Sequence, residues 1–121
     1  MHRYLLVFIG GGLGAVARYV LGGLIQQAIP IDFPLGTFAV NAIGCFLIGM
    51  LFSLEGFGLL SYESRLLMMI GFLGGFTTFS SFILESVGMA PGPGFWLNLI
   101  GQVTIGVLST YGGMIVGRWL M

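Results

Sequence analysis

The sequence predicts an all-α integral membrane protein, a single domain built as a bundle of four transmembrane helices. Three observations carry that prediction. Hydrophobic residues fill 57% of the 121 positions, and the mean hydropathy is +1.06. Only 7% of residues are charged, where a soluble domain carries about a quarter, so most of the surface faces lipid. The apolar residues also fall into four windows, 4–26, 35–54, 66–88 and 95–118, each close to the ~20 residues that cross a bilayer as a helix. The ten-residue alternation of a membrane barrel is missing, and lipid accepts no other spanning backbone.

The first span opens with MHRYLLVFIGGGLGAVARY. A basic start and an apolar run also mark signal peptides, but Arg18 interrupts the run and three more hydrophobic segments follow, so the span is read as retained. Pro30 and Pro34 flank Asp32 in the first loop, and Glu55, Gly56, Gly58, Glu63 and Arg65 mark the second. PGPG at 91–94 makes the third a tight turn. Tyr4, Trp96 and Trp119 lie near span ends, where aromatic rings favour the headgroup zone. Gly10 and Gly14, Gly71 and Gly75, and Gly113 and Gly117 are spaced four apart, which lets helix backbones approach closely. Four short helices enclose little by themselves. A pore or substrate site forms more easily between subunits, so an oligomer is expected, a dimer being the simplest case.

Four Arg, four acids and no Lys leave no net charge, which points away from nucleic acid or other polyanions as partners. Arg3, Arg65 and Arg118 share one side of the bundle and the opposite loops carry no Arg. That leans towards a cytoplasmic N-terminus, but Glu55 and Glu63 partly offset it, and insertion in both orientations stays open. Cys45 stands alone in an apolar run and reads as a small buried hydrophobe. No nucleophile–base pair, side-chain metal cluster or phosphate loop is present in the sequence, which argues against an enzyme.

Polar residues inside the spans are the functional candidates. An Arg at a helix centre costs ~2.5–3.5 kcal/mol on insertion scales. Arg18 is therefore either a snorkelling anchor or a fixed positive charge near a vestibule that favours anions. Asn41 is the only carboxamide of the second span; it makes an interhelical hydrogen bond or points an N–H at an anion. Thr37 lies one turn earlier on its face. Glu85 is an interfacial carboxylate, a partner for Arg18 or a proton-linked site. Asn98 and Gln102 are four apart and share a face, with Ser109 and Thr110 further along, as a second polar stripe.

The segment GFLGGFTTFSSF, residues 71–82, weakens the third span at its centre. Gly74 and Gly75 followed by Thr77 and Thr78 predict the end of one half-helix and the start of another, with Thr as N-cap. Irregular backbone survives at bilayer depth only where protein or a cavity satisfies it, and freed carbonyls suit a small hard cation. Phe76, Phe79 and Phe82 repeat every three residues and so should line one face of the second half-helix. Such a stripe is either packing or, with the positive ring edges turned inwards, a surface for a dehydrated anion.

Together GGLGAVARY (11–19), GTFAVNAIG (36–44) and above all GGFTTFSSF (74–82) resemble the small bacterial fluoride channel family, Fluc/CrcB, along essentially the whole chain. The resemblance implies a fluoride-selective channel in the cell inner membrane that passively exports F⁻. It implies subunits that insert in both orientations and pair as a dual-topology antiparallel homodimer, with two pores at the interface. It also implies one structural Na⁺ on the dimer axis, held by the backbone carbonyls of Gly74 and Thr77. Phe79 and Phe82 correspond to aromatic residues facing fluoride, Asn41 to a pore asparagine, Arg18 to the first-helix arginine and Glu85 to the acid after the TTFSxF element. Ser80 and Ser81 supply hydroxyls, Ser81 standing where Thr is usual. Asn98 and Gln102 stand where Tyr or Ser is common on the fourth helix, and with Arg18, Thr37 and Glu85 they fall in the vestibule or polar track that the resemblance implies. Two alternatives are weighed: a non-conducting subunit of a heterodimeric fluoride channel, and a small multidrug-type proton-coupled exporter. The latter uses a Glu in its first span, and this first span has none.

Overall fold

The computed structural model describes residues 1–121, and four of its helices are long and apolar enough to cross a membrane. Helix α1 runs over His2–Ala28 and α2 over Leu35–Gly56. The third span, Tyr62–Gly88, is composite. It comprises α3 (Tyr62–Arg65), a π-helix (Leu66–Leu73), α4 (Gly74–Phe76) and α5 (Phe79–Gly88). Helix α6 spans Pro93–Trp119. The boundaries follow local chemistry. Pro93 sits at the first helical position of α6, where a missing N–H costs nothing. Ser61 caps α3 by accepting from the Ser64 N–H at 3.1 Å.

The helices pack as two pairs, α1 along the π-helix and α4, and α2 along α6. Glycine sets how close each pair comes. Gly10 and Gly14 are buried on α1, and a methyl group at either would lie on the backbone carbonyls of Leu67 and Phe72 respectively. From the facing third span, Gly75 meets the Gly11 carbonyl in the same way. In the other pair, Gly113 faces the Phe46 carbonyl and Gly117 the Met50 carbonyl. All three glycine pairs noted in the sequence thus lie in helix contacts.

Only 18 of 121 residues are buried, so the single chain keeps most of its apolar surface for lipid or for another subunit. The small core gathers Val40, Leu51, Leu73 and Phe76 between the two helix pairs. At one end of the bundle Arg65 pairs with Glu55 at 3.1 Å, and the Arg3 guanidinium lies 5.2 Å from the centre of the Tyr62 ring.

One expectation is corrected. Phe76 does not share a face with Phe79 and Phe82. It belongs to α4, is buried, and stacks on Phe72 with ring centroids 5.7 Å apart. A helix turns about 100° per residue, but Thr77 and Thr78 are extended. The three-residue repeat therefore loses its angular meaning across them.

Contact with a backbone carbonyl makes Gly113 intolerant of a side chain. Gly113→Ala should lower thermal stability in detergent, at a cost of about 1–3 kcal/mol for an overpacked contact. Gly12→Ala, where nothing lies within 4 Å of an added methyl, should be neutral or stabilising in the same melt.

Candidate functional site

Between α4 and α5 the backbone leaves the helix. Thr77 has φ −86° and ψ 154°, and Thr78 has φ −143° and ψ 122°. Two of the N–H groups displaced there find side-chain partners. Thr77 keeps its helical bond, donating to the Leu73 carbonyl at 3.0 Å, and its hydroxyl donates to the same oxygen at 3.0 Å. In a continuous helix the Thr78 N–H would reach the Gly74 carbonyl. Here it donates to Asn41 Oδ1 at 2.8 Å, while Asn41 Nδ2 donates to the Thr78 carbonyl at 3.0 Å. The Ser81 N–H, which would reach the Thr77 carbonyl, donates to Thr78 Oγ1 at 3.3 Å instead. Thr78 is thus the N-cap of α5. The carbonyls of Gly74 and Thr77 are the two that lose their helical donors to side chains.

Neighbouring elements hold this segment. Gly44 on α2 faces the Thr77 methyl group, leaving no room for a side chain there. Arg18 reaches from α1 and donates through Nε to the Gly75 carbonyl at 3.1 Å. Asn41 also donates through Nδ2 to Gln102 Oε1 at 2.7 Å, so both of its amide protons are engaged. From there a line of bonds continues into α6 and back. Gln102 Nε2 donates to Asn98 Oδ1 at 3.0 Å, Asn98 Nδ2 to Ser86 Oγ at 2.9 Å, and Ser86 Oγ to the Phe82 carbonyl at 2.7 Å.

A groove of about 770 Å³, open on one side, runs along this segment between α2 and α6. Of the sequence candidates, Asn41, Gly74, Thr77, Phe79, Phe82 and Gln102 line it. Phe79 is 74% exposed and Phe82 5%; their rings meet edge to face, with centroids 5.7 Å apart and planes at 69°. Ser80 is exposed and Ser81 half-buried, and both lie off the groove. Thr37 and Glu85 also lie off it and pair with each other, the hydroxyl donating to Oε1 at 2.7 Å. Glu85 Oε2 is buried without a partner.

Several alternatives narrow. Arg18 is spent on Gly75 rather than on Glu85, and the ion pair of the chain is Arg65 with Glu55. Asn98 and Gln102 do share a face, but it points inwards, Asn98 being fully buried. Thr110 returns its hydroxyl to the Gly106 carbonyl of its own helix at 2.9 Å. Two contributors carried no signal in the sequence. Ser86 is a lone serine, yet it ends the line of bonds. Gln26 ties α1 to the first loop and α2, donating to the Ile31 and Phe33 carbonyls and accepting from the Gly36 N–H, each at 3.1 Å.

Residues 5–118 match the family model described as CrcB-like protein, Camphor Resistance (CrcB). The chain belongs to the CrcB family. It is 42% identical to a protein of Solibacter usitatus named fluoride-specific ion channel FluC, over 96% of this chain and 98% of the relative. A protein of the same name from Thermus thermophilus is 43% identical over 99% of this chain and 90% of its own length. A third, from Phocaeicola vulgatus, is 42% identical over 99% and 98%. Family and spans together make this CrcB chain a multi-pass membrane protein. Its relatives are named as ion channels, a non-enzymatic function.

The capping bond gives a direct test of the local geometry. Thr78→Ala removes Oγ1 and should cost about 1 kcal/mol, seen as a lower denaturation midpoint in detergent. Thr78→Ser keeps the acceptor and should stay near the parent.

Proposed function

We propose that this CrcB chain forms a fluoride-selective channel that passively exports F⁻ and so relieves fluoride toxicity. The observation that carries the reading is the interrupted third span. Backbone at bilayer depth departs from the helix beside a groove, and its polar groups are redirected to side chains rather than simply restored. Lipid permits such backbone only against protein or a cavity. The fluoride-specific name of the relatives supplies the ion.

Fluoride is small and strongly hydrated, so passage requires compensation for lost water. The ring edges of Phe79 and Phe82 offer positive quadrupole without full charge. Asn41 lines the groove with both amide protons already engaged, so it serves the anion by exchanging one of those bonds. Ser80 and Ser81 offer hydroxyls at the start of α5. Neutral donors stabilise an ion without trapping it, as conduction needs, and a larger chloride fits a narrow polar track poorly. Arg18 contributes fixed positive charge at the vestibule, and the Thr37–Glu85 pair belongs to the same polar track.

Two copies in opposite orientations complete the pores. The groove is open on one side in a single chain, and the weak Arg asymmetry is compatible with either insertion. A structural Na⁺ on the dimer axis fits the residues present. The carbonyls of Gly74 and Thr77 are hard oxygen donors released from helical bonding, the ligand type such a cation takes. When bound, the ion would supply positive charge and pin the interrupted helices. Export follows from acid–base chemistry: HF enters, dissociates at neutral pH, and F⁻ leaves down its electrochemical gradient.

Purified chain reconstituted alone in liposomes should release fluoride but not chloride, read by ion-selective electrodes. No fluoride release would reject the homodimeric channel and favour a chain that needs a different partner subunit. Phe82→Ile should impair release while dimers persist in size-exclusion chromatography; unchanged release would leave that ring as packing. Prolonged dialysis against a larger monovalent cation should abolish release slowly, and indifference to that exchange would remove the sodium site.

A further inference from the structure

The line of bonds from Asn41 to Phe82 begins and ends on the same half-helix. It leaves the Thr78 N–H, crosses to α2 at Asn41, passes to α6 at Gln102 and Asn98, and returns through Ser86 to the Phe82 carbonyl of α5. Both ends have fixed polarity, because a backbone N–H only donates and a carbonyl only accepts. Every amide between them must therefore point the same way. Turning Gln102 over would set its NH₂ against that of Asn41 and its oxygen against Asn98 Oδ1. The direction of Asn41 is thus set by groups remote from it as well as by Thr78.

Simple interhelical glue does not require this arrangement. Asn98 and Ser86 are among the most buried side chains, 0% and 1% exposed, and neither lines the groove. Removing either one strips a buried partner from the line and weakens the hydrogen bonds of its neighbours.

We propose that Gln102, Asn98 and Ser86 are positioning residues that act through Asn41 to fix the backbone of Thr78, and with it the start of the half-helix that carries Phe79 and Phe82. Asn98 and Ser86 lie off the groove and touch no permeating ion, and Gln102, which lines it, passes their constraint on to Asn41. Their effect on conduction is transmitted by the orientation of one carboxamide. The inference deepens the fluoride-channel reading and rests on it for its second measurement only.

The first measurement is amide hydrogen exchange at Thr78 in the purified, detergent-solubilised chain, followed by nuclear magnetic resonance. Asn98→Ala should speed exchange at Thr78 roughly tenfold, as expected when a buried hydrogen bond is weakened, and leave α1 unchanged. Ser86→Ala, a smaller change at the far end of the line, should act in the same direction and serves where Asn98→Ala does not fold. Unaltered exchange at Thr78 in a folded variant would overturn the proposal. The second measurement is fluoride efflux from liposomes. Asn98→Ala should slow efflux in the parent chain and have no further effect in an Asn41→Ala background. Additive losses would show that Asn98 acts independently of Asn41, and would overturn it too. A parent chain that conducts no fluoride rejects the channel reading, while exchange at Thr78 still decides the positioning role.

Discussion

Everything in this chain is arranged around one demand, that backbone polar groups at bilayer depth find partners inside the protein. A helix meets that demand within itself, so two extended residues in the middle of a span are costly unless neighbours intervene. Here the intervention comes from side chains. Asn41 takes both the N–H and the carbonyl of Thr78, and the Thr78 hydroxyl takes the Ser81 N–H. An unsatisfied group in hydrocarbon costs several kcal/mol, more than a single interhelical bond between side chains returns in a membrane. The second span meets that cost with a carboxamide at this depth, and the fourth places Gln102 against it.

Such short bonds need helices that approach closely, and this links the glycines to the site. Gly44 on α2 leaves space for Thr77, and it lies on the same helix as Asn41, three residues on. On the other side Gly75 rests against the Gly11 carbonyl, and its own carbonyl receives Arg18. Larger residues at these positions would push the helices apart and stretch the hydrogen bonds between them. The helix pairs are thus both the packing unit and the frame that sets donor–acceptor distances. The π-helix upstream contributes as well, since it turns its carbonyls towards Gly10 and Gly14 of α1.

Much of this is legible in the residues, for identifiable reasons. Hydropathy marks spans because lipid exposure demands apolar side chains over a fixed length, and the four windows lie within or close to the four helices. Gly spaced at four marks helix contacts, since that spacing puts both on one face. The same rule puts Asn98 and Gln102 together but cannot say which way they point, because direction depends on where α5 lies. The stretch of π-helix leaves no trace, since it differs from an α-helix in hydrogen-bond register rather than in composition. Phe76 is misplaced for a related reason. Its spacing to Phe79 assumes continuous helical rotation, and the extended threonines between them remove it. Ser86 and Gln26 act through bonds made possible by the fold, two for Ser86 and three for Gln26, and no local pattern announces such bonds.

The way Asn41 is held bears on how an anion passes. A free carboxamide in a pore would bind fluoride well and release it slowly. One already donating to Gln102 and Thr78 offers less, because each new bond to the ion must displace an existing bond of similar strength. On the proposed reading this lowers the depth of the binding well at that position while keeping a donor within reach. The edge-to-face pair of Phe79 and Phe82 works in the same sense, since a ring edge attracts without charge. Conduction asks for several shallow sites rather than one deep one. On that reading a wall made of engaged donors and aromatic edges would meet the requirement, with the buried amides proposed to hold it in place.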